Sequence, residues 1–140
     1  MRAVCIARHR ILSDHLCAYF APLGVDASPA VGFENGARLA RAARVDLVLC
    51  DCDLCGAAQL ERWARDPVLA TTPIVAVSLT RRREEAHLTD ATGIAGFLYL
   101  PTLREEDATR LLRAFAGRGL HAPVGALRWP SSPHEPQRRP

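Results

Sequence analysis

The sequence predicts an α/β domain, a five-stranded parallel sheet with helices on both faces. Short apolar or β-branched runs alternate along the chain with longer segments whose apolar residues fall at helical spacing. The runs are continuously apolar, as expected of strands covered on both faces. The chain has 140 residues, 49% of them hydrophobic and 24% charged, with a mean hydropathy of −0.01. That is enough for one domain with one well-filled interior.

Ala3 to Ala7 (AVCIA) is the first such run. Leu12, Leu16, Tyr19 and Phe20 then mark a helix over Leu12 to Tyr19, with Ser13 or Asp14 near its start and Pro22 and Gly24 stopping it. Val25 to Ala30 is a weaker strand, and Pro29 suits an edge position, where a missing N–H costs no ladder bond. Residues 34–43 (ENGARLARAA) read as a short alanine-rich helix.

Asp46 to Asp51 (DLVLCD) is the strongest strand, and it ends in an acid. After a turn at Gly56, AAQLERWAR is helical and stops before Pro67, because the residue preceding a proline is pushed out of the helical region. Thr72-Pro73 opens IVAVS, a run of high strand propensity. RRREEAHLTDA, 81–91, reads as a charged helix closed by Gly93 at its C-cap. The last strand, Gly96 to Leu100, ends at Pro101. Thr102 or Leu103 leads into REEDATRLLRAFAG, with acids in the first turn, Leu111, Leu112 and Phe115 facing inward, and Gly117 beyond the end.

Residues 118–140 show no apolar period and contain Pro123, Pro130, Pro133, Pro136 and Pro140, so a disordered tail is expected after a domain at 1–117. Arg118, Arg128, Arg138 and Arg139 against Glu135 account for the whole formal charge of +3. With the rest of the chain balanced, charge-driven nucleic-acid binding is not expected. No run reaches the roughly 20 apolar residues of a bilayer span and no signal peptide is legible, so a cytoplasmic chain without membrane contact is expected. The five cysteines then read as reduced thiols. All 18 basic residues are arginine, which excludes any chemistry that requires a lysine.

VDLVLCD at 45–51, RDP at 65–67, TPIVAVS at 72–78, GIAGFLYLP at 93–101 and the closing LLRAF resemble, in that order, the receiver domain of two-component response regulators. The resemblance covers about residues 3–116. It implies a flavodoxin-like sheet of order 2-1-3-4-5. It also implies Asp51 as the phospho-acceptor position, Ser78 as the hydroxyl that contacts the phosphoryl group, and Phe97 as the switch aromatic.

Three positions depart from the pattern. Arg8 and His9 stand where the family carries two acids that help hold Mg²⁺, and Leu100 stands where it carries a lysine that clamps the phosphoryl group. The loop after Asp51 is also about three residues short and has Cys55 where a proline is usual. A Mg²⁺ ion needs carboxylate and other oxygen ligands in near-octahedral array, and Asp51 beside an arginine is a poor host.

The reading preferred on sequence is therefore a stand-alone pseudo-receiver. It is a non-enzymatic protein-interaction module in bacterial-type signalling, independent of phosphorylation and without cofactor, with an Arg8–Asp51 ion pair filling the pocket. Its expected output surface is the fourth strand, the helix at 81–91 and the fifth strand. Its partners would be a histidine kinase or another signalling protein, with a homodimer through the last two βα units left open. The alternative is a response regulator that is phosphorylated on Asp51 and uses Mg²⁺. A third class, a truncated nucleic-acid-binding regulator, lacks a segment long enough to be its effector domain.

Other features are weighed on the same terms. CDCDLC at 50–55 invites a metal or redox reading, but without a second ligand cluster the structural reading, with Cys50 in the core, is preferred. Asp53 is either an exposed loop acid or a carboxylate coupled to Asp51. Arg81–Arg83 with Glu84 and Glu85 are a solvated helix start. Trp63 is expected half-buried on its helix, and Trp129 on the tail has no evident core. No triad for hydrolysis and no glycine-rich phosphate loop is present.

Overall fold

A computed structural model describes residues 1–80 and 93–118. Strands β1 (Arg2–Ala7), β2 (Asp26–Val31), β3 (Leu47–Asp51), β4 (Ile74–Ser78) and β5 (Gly96–Tyr99) form one sheet of order β2-β1-β3-β4-β5. Every pairing is parallel. Helices α1 (Arg10–Phe20), α2 (Phe33–Ala43), α3 (Ala57–Arg65) and α4 (Glu105–Arg118) are the described helices. The helix expected at 81–91, its arginine and glutamate runs, and the tail with Trp129 lie outside the described residues. Gly93, the first residue described after Thr80, has φ +99, in the left-handed region that glycine tolerates.

Successive side chains of a strand point to opposite faces, and both faces here are covered. Val4, Ile6, Val48, Cys50 and Trp63 belong to one buried cluster, and Cys5, Leu49, Leu16, Leu112 and Phe115 to another. This explains the unbroken apolar runs of β1, β3 and β4. β2 is the edge strand that Pro29 requires, and alternating exposure replaces full burial there. On β5, a Cβ at Gly96 would sit 2.3 Å from the Phe115 ring, so a side chain is excluded where α4 lies against the sheet.

Several boundaries differ from those read in sequence. α1 begins at Arg10 because His9, in an extended conformation, is its N-cap. Ser13 and Asp14 do not cap it. Ser13 Oγ donates to the Arg10 carbonyl at 3.1 Å, and Asp14 pairs with Arg10 one turn back. β5 ends at Tyr99, and Leu100–Thr102 turns as a 3-10 segment in which Pro101 presets φ. α4 runs through Gly117 to Arg118, since an interior glycine costs only about 1 kcal/mol and the apolar face of the helix is already docked. Trp63 is fully rather than half buried, at 2% exposure.

Downstream of α3, Asp66 organises the turn that leads to β4. Its Oδ1 accepts the Val68 and Leu69 N–H groups at 2.9 and 3.1 Å, and Arg41 reaches Oδ2 at 2.8 Å. The Leu69 N–H foremost, helped by the Val68 N–H and Arg41, holds this carboxyl below its ordinary value near 3.8 against a desolvation cost second only to the Leu69 contribution. A depressed folded pKa adds stability that is present above the ordinary value and lost as pH falls through the folded one. Asp66→Ala is therefore expected to lower the urea midpoint at pH 7, with the gap from the native chain closing on acidification below about pH 4. A gap that stays constant with pH would sink this assignment.

Candidate functional site

In a sheet of this order the C-terminal ends of β1 and β3 flank the point where the strand order reverses, the usual position of a site in open α/β sheets. Arg8 follows the last residue of β1 and Asp51 is the last residue of β3, with Ile6 opposite Cys50 in the register. The two side chains meet. Arg8 Nε donates to Asp51 Oδ2 at 2.9 Å, and Arg8 Nη2 lies 3.2 Å from Asp53 Oδ2. The ion pair expected from the sequence is therefore present, and the guanidinium spans two carboxylates. Its fork geometry suits this, because planar N–H groups reach separate oxygens without strain.

The Asp51 side chain is 7% exposed, that of Asp53 24% and that of Arg8 48%. The Asp53 N–H also donates to Asp51 Oδ1 at 3.1 Å, so Asp51 caps the single 3-10 turn Cys52–Leu54 that follows it. Asp53 lies at the surface, as one of the two readings has it, and its carboxylate turns toward Arg8 and lies close to Asp51. That turn is the product of backbone capping, which residue spacing alone does not reveal.

Ser78, the last residue of β4, is 5% exposed, and its Oγ accepts the Thr80 N–H at 3.3 Å. Arg8, Asp51, Asp53, Ser78 and Thr80 line one cavity of about 130 Å³ with Leu12 and Leu16 at its wall. Thr80 is absent from the sequence candidates. Its only signal is a backbone N–H two residues beyond a serine, the spacing of a hydroxyl-capped turn.

The other candidates lie elsewhere. His9 is exposed at the N-cap of α1 and does not line the cavity. Phe97 is 7% exposed, packed in the cluster that includes Trp63. Leu100, in the position of the family's lysine, is 4% exposed among Leu16, Leu112 and Phe115, so that position is core.

Three thiols surround the turn after Asp51. Cys50 Sγ donates to the Asp51 carbonyl at 3.5 Å, Cys55 Sγ to the same oxygen at 3.7 Å, and Cys52 Sγ to Asp53 Oδ1 at 3.9 Å. A hydrogen bond with Cys55, then burial, pushes the Cys50 thiol well above its ordinary range. That fits the core role expected of it.

The ligand atoms of Asp51, Cys52 and Asp53 lie within 4.8 Å of one another. Two carboxylates at this spacing supply what a hard divalent cation such as Mg²⁺ asks of a protein, with the remaining positions taken by water or phosphate, while the soft thiol contributes little. Asp51 therefore has a second carboxylate beside it, and the cluster could hold a divalent cation. The second acid comes from the turn after β3, since the end of β1 carries Arg8. Guanidinium and cation would use the same oxygens, so they compete.

No family model matches the sequence, and no curated protein matches it. Solved structures do. The chain is similar to the receiver domain of the sensor histidine kinase PA1611 from Pseudomonas aeruginosa PAO1, a structure with magnesium coordinated in its active-site cleft. The TM-score is 0.64 at 20% identity, covering 83% of this chain and 97% of that one. A response regulator receiver domain protein from Clostridium thermocellum superposes with TM-score 0.65 at 14% identity, covering 84% and 94%. The chemotaxis response regulator CheY4 of Vibrio cholerae gives 0.63 at 16%, covering 81% and 97%. The fold of this chain is that of receiver domains. Among the described residues, no helix is long and apolar enough to cross a membrane.

Proposed function

We propose that this chain is a receiver-type signalling module that acts through protein partners and accepts a phosphoryl group on Asp51. The observation that carries this reading is the carboxylate pair of Asp51 and Asp53 in one cavity with the Ser78 hydroxyl. It reverses the order of the two readings drawn from sequence, because the acid missing from β1 is replaced from the turn after β3.

In this reading an Asp51 oxygen attacks phosphorus, the bond from phosphorus to the donor's leaving group breaks with its electron pair, and an acyl phosphate forms. The Ser78 hydroxyl donates to a phosphoryl oxygen. Arg8, already 2.9 Å from Asp51, turns its guanidinium to the incoming charge, as arginine does in bidentate phosphate contacts. A divalent cation held by Asp51 and Asp53 would neutralise phosphoryl charge. With no lysine in the chain, Arg8 is the described side chain placed to share that work. We assign no catalytic turnover of a separate substrate, and a cytoplasmic setting with a histidine kinase or another signalling protein as partner. A homodimer remains compatible with this scheme.

One observation favours the pseudo-receiver instead. The Arg8 ion pair gives the buried Asp51 carboxylate a cationic partner without a ligand, although one guanidinium against two carboxylates leaves a negative charge in the pocket. Incubation with acetyl phosphate and Mg²⁺ separates the two. A base-labile, acid-resistant gain of one phosphoryl mass is expected on the native chain and not on Asp51→Asn. Absence of that modification at any Mg²⁺ concentration would overturn the proposal and leave the pseudo-receiver standing.

A further inference from the structure

We propose that Cys52 and Cys55 form an oxidisable dithiol at the wall of the carboxylate cavity, with hydrogen peroxide or a related small hydroperoxide as oxidant and an intramolecular disulfide as product. This inference stands whether or not Asp51 accepts a phosphoryl group.

The turn itself carries the argument. The Cys55 N–H donates to the Cys52 carbonyl at 3.2 Å, so the two residues are the ends of one 3-10 turn. In such a turn side chains at positions i and i+3 eclipse, and the Cα atoms lie within about 7 Å. A disulfide spans Cα separations of about 4.4–6.8 Å, so the turn brings the two backbones near that range, and closure needs the sulfurs to rotate from their present contacts, Cys52 on Asp53 Oδ1 and Cys55 on the Asp51 carbonyl. Cys50 is the competing partner. It contacts Cys55, but it is fully buried and its strand position is locked in the sheet.

Among the thiols at 50, 52 and 55, access selects Cys52 as the first to react; Cys17, on α1, is the more exposed thiol and lies away from this turn. Cys52 lines the cavity of about 130 Å³, whereas Cys50 and Cys55 do not. A void of about 10–15 Å³ holds one water-sized molecule, so peroxide can approach the Cys52 sulfur without unfolding. The sulfur lone pair attacks one peroxide oxygen, the O–O bond breaks, and the departing hydroxide leaves as water with the thiol proton. The product is a sulfenic acid. Cys55 sulfur then attacks that sulfur, the S–O bond breaks, and a second water leaves with the Cys55 proton. Two thiols are oxidised and one peroxide is reduced.

The consequence falls on the pocket. The turn between the two cysteines carries Asp53, whose N–H caps Asp51 and whose carboxylate contacts Arg8. Closing the disulfide constrains the segment that places the second carboxylate.

The full-length chain, reduced and then exposed to hydrogen peroxide, is expected to lose two of its five thiols on maleimide counting after denaturation, with the bond mapped to Cys52 and Cys55 by tandem mass spectrometry. Cys52→Ser should retain all its remaining thiols, Cys55→Ser should trap a dimedone adduct on Cys52, and Cys50→Ser should still form the bond. Mapping to Cys50–Cys55, or to Cys5–Cys17, whose thiols are also hydrogen-bonded, would overturn the proposal. So would a native chain whose thiols resist peroxide while the urea-unfolded chain oxidises. The mapping on the native chain decides the question even if a serine variant fails to fold.

Discussion

Trp63→Ala is expected to destabilise the chain by about 3–5 kcal/mol, the range for removing a large aromatic from a close-packed interior. For a domain of this size that is a fall in Tm of roughly 10 °C or more. The indole lies at 2% exposure, edge-on to Phe33 at 5.5 Å between ring centroids, and bridges α2 and α3. Its Nε1 donates to the Thr72 carbonyl at 3.1 Å, directly before Pro73 and β4. Alanine would leave both a cavity and an unpaired buried carbonyl. Trp63→Phe separates the two terms, since it keeps most of the volume and loses the hydrogen bond, and about 1–3 kcal/mol is expected. Thermal melts of both variants check this. If Trp63→Ala moved Tm by less than about 5 °C, the anchoring of β4 through α3 would be wrong.

Arg8→Asp should turn a pocket that holds its own cationic partner into one that depends on a divalent cation. In the native chain the guanidinium contacts Asp51 and Asp53, and a pair with one half-exposed partner contributes about 1–2 kcal/mol once solvent screening is allowed for. The substitution removes that contribution and adds a third carboxylate, whose repulsion raises the loss to about 2 kcal/mol or more without metal. Magnesium should then restore stability by mass action, about 2.7 kcal/mol at a hundredfold excess over Kd. The native chain should require at least about ten times more magnesium for the same gain, because displacing Arg8 costs about 1.4 kcal/mol or more. Melting curves across a magnesium series decide the point. Equal responses in both chains would mean that Arg8 does not compete for these oxygens.

β1, β3 and β4 were legible because each is buried on both faces and its apolar run reflects that burial directly, whereas the edge strand β2 was read through Pro29. α3 was legible to the residue, since Gly56 and Pro67 bracket it. The start of α1 was read two residues late because a histidine held in extended conformation, rather than a side-chain cap, begins it. The burial of Trp63 was underestimated because a helix pattern identifies the inward face but not what the opposing layer offers. Here Phe33 from α2 and the Thr72 carbonyl close over the ring.

By itself, the sequence determined the layer order, the position of Asp51 at a strand end, and the absence of acids from β1 and of lysine from the chain. These are properties of residue type and local spacing, which a linear reading retains. Only the tertiary structure decided the chemistry of the pocket. It brought Arg8 from β1 across to β3, turned Asp53 inward through a backbone cap, added Thr80, and placed Leu100 in the core. The Arg8 contact and the burial of Leu100 depend on directions in space between segments tens of residues apart, and the placements of Asp53 and Thr80 on two-residue backbone turns, and no spacing along the chain encodes such a direction.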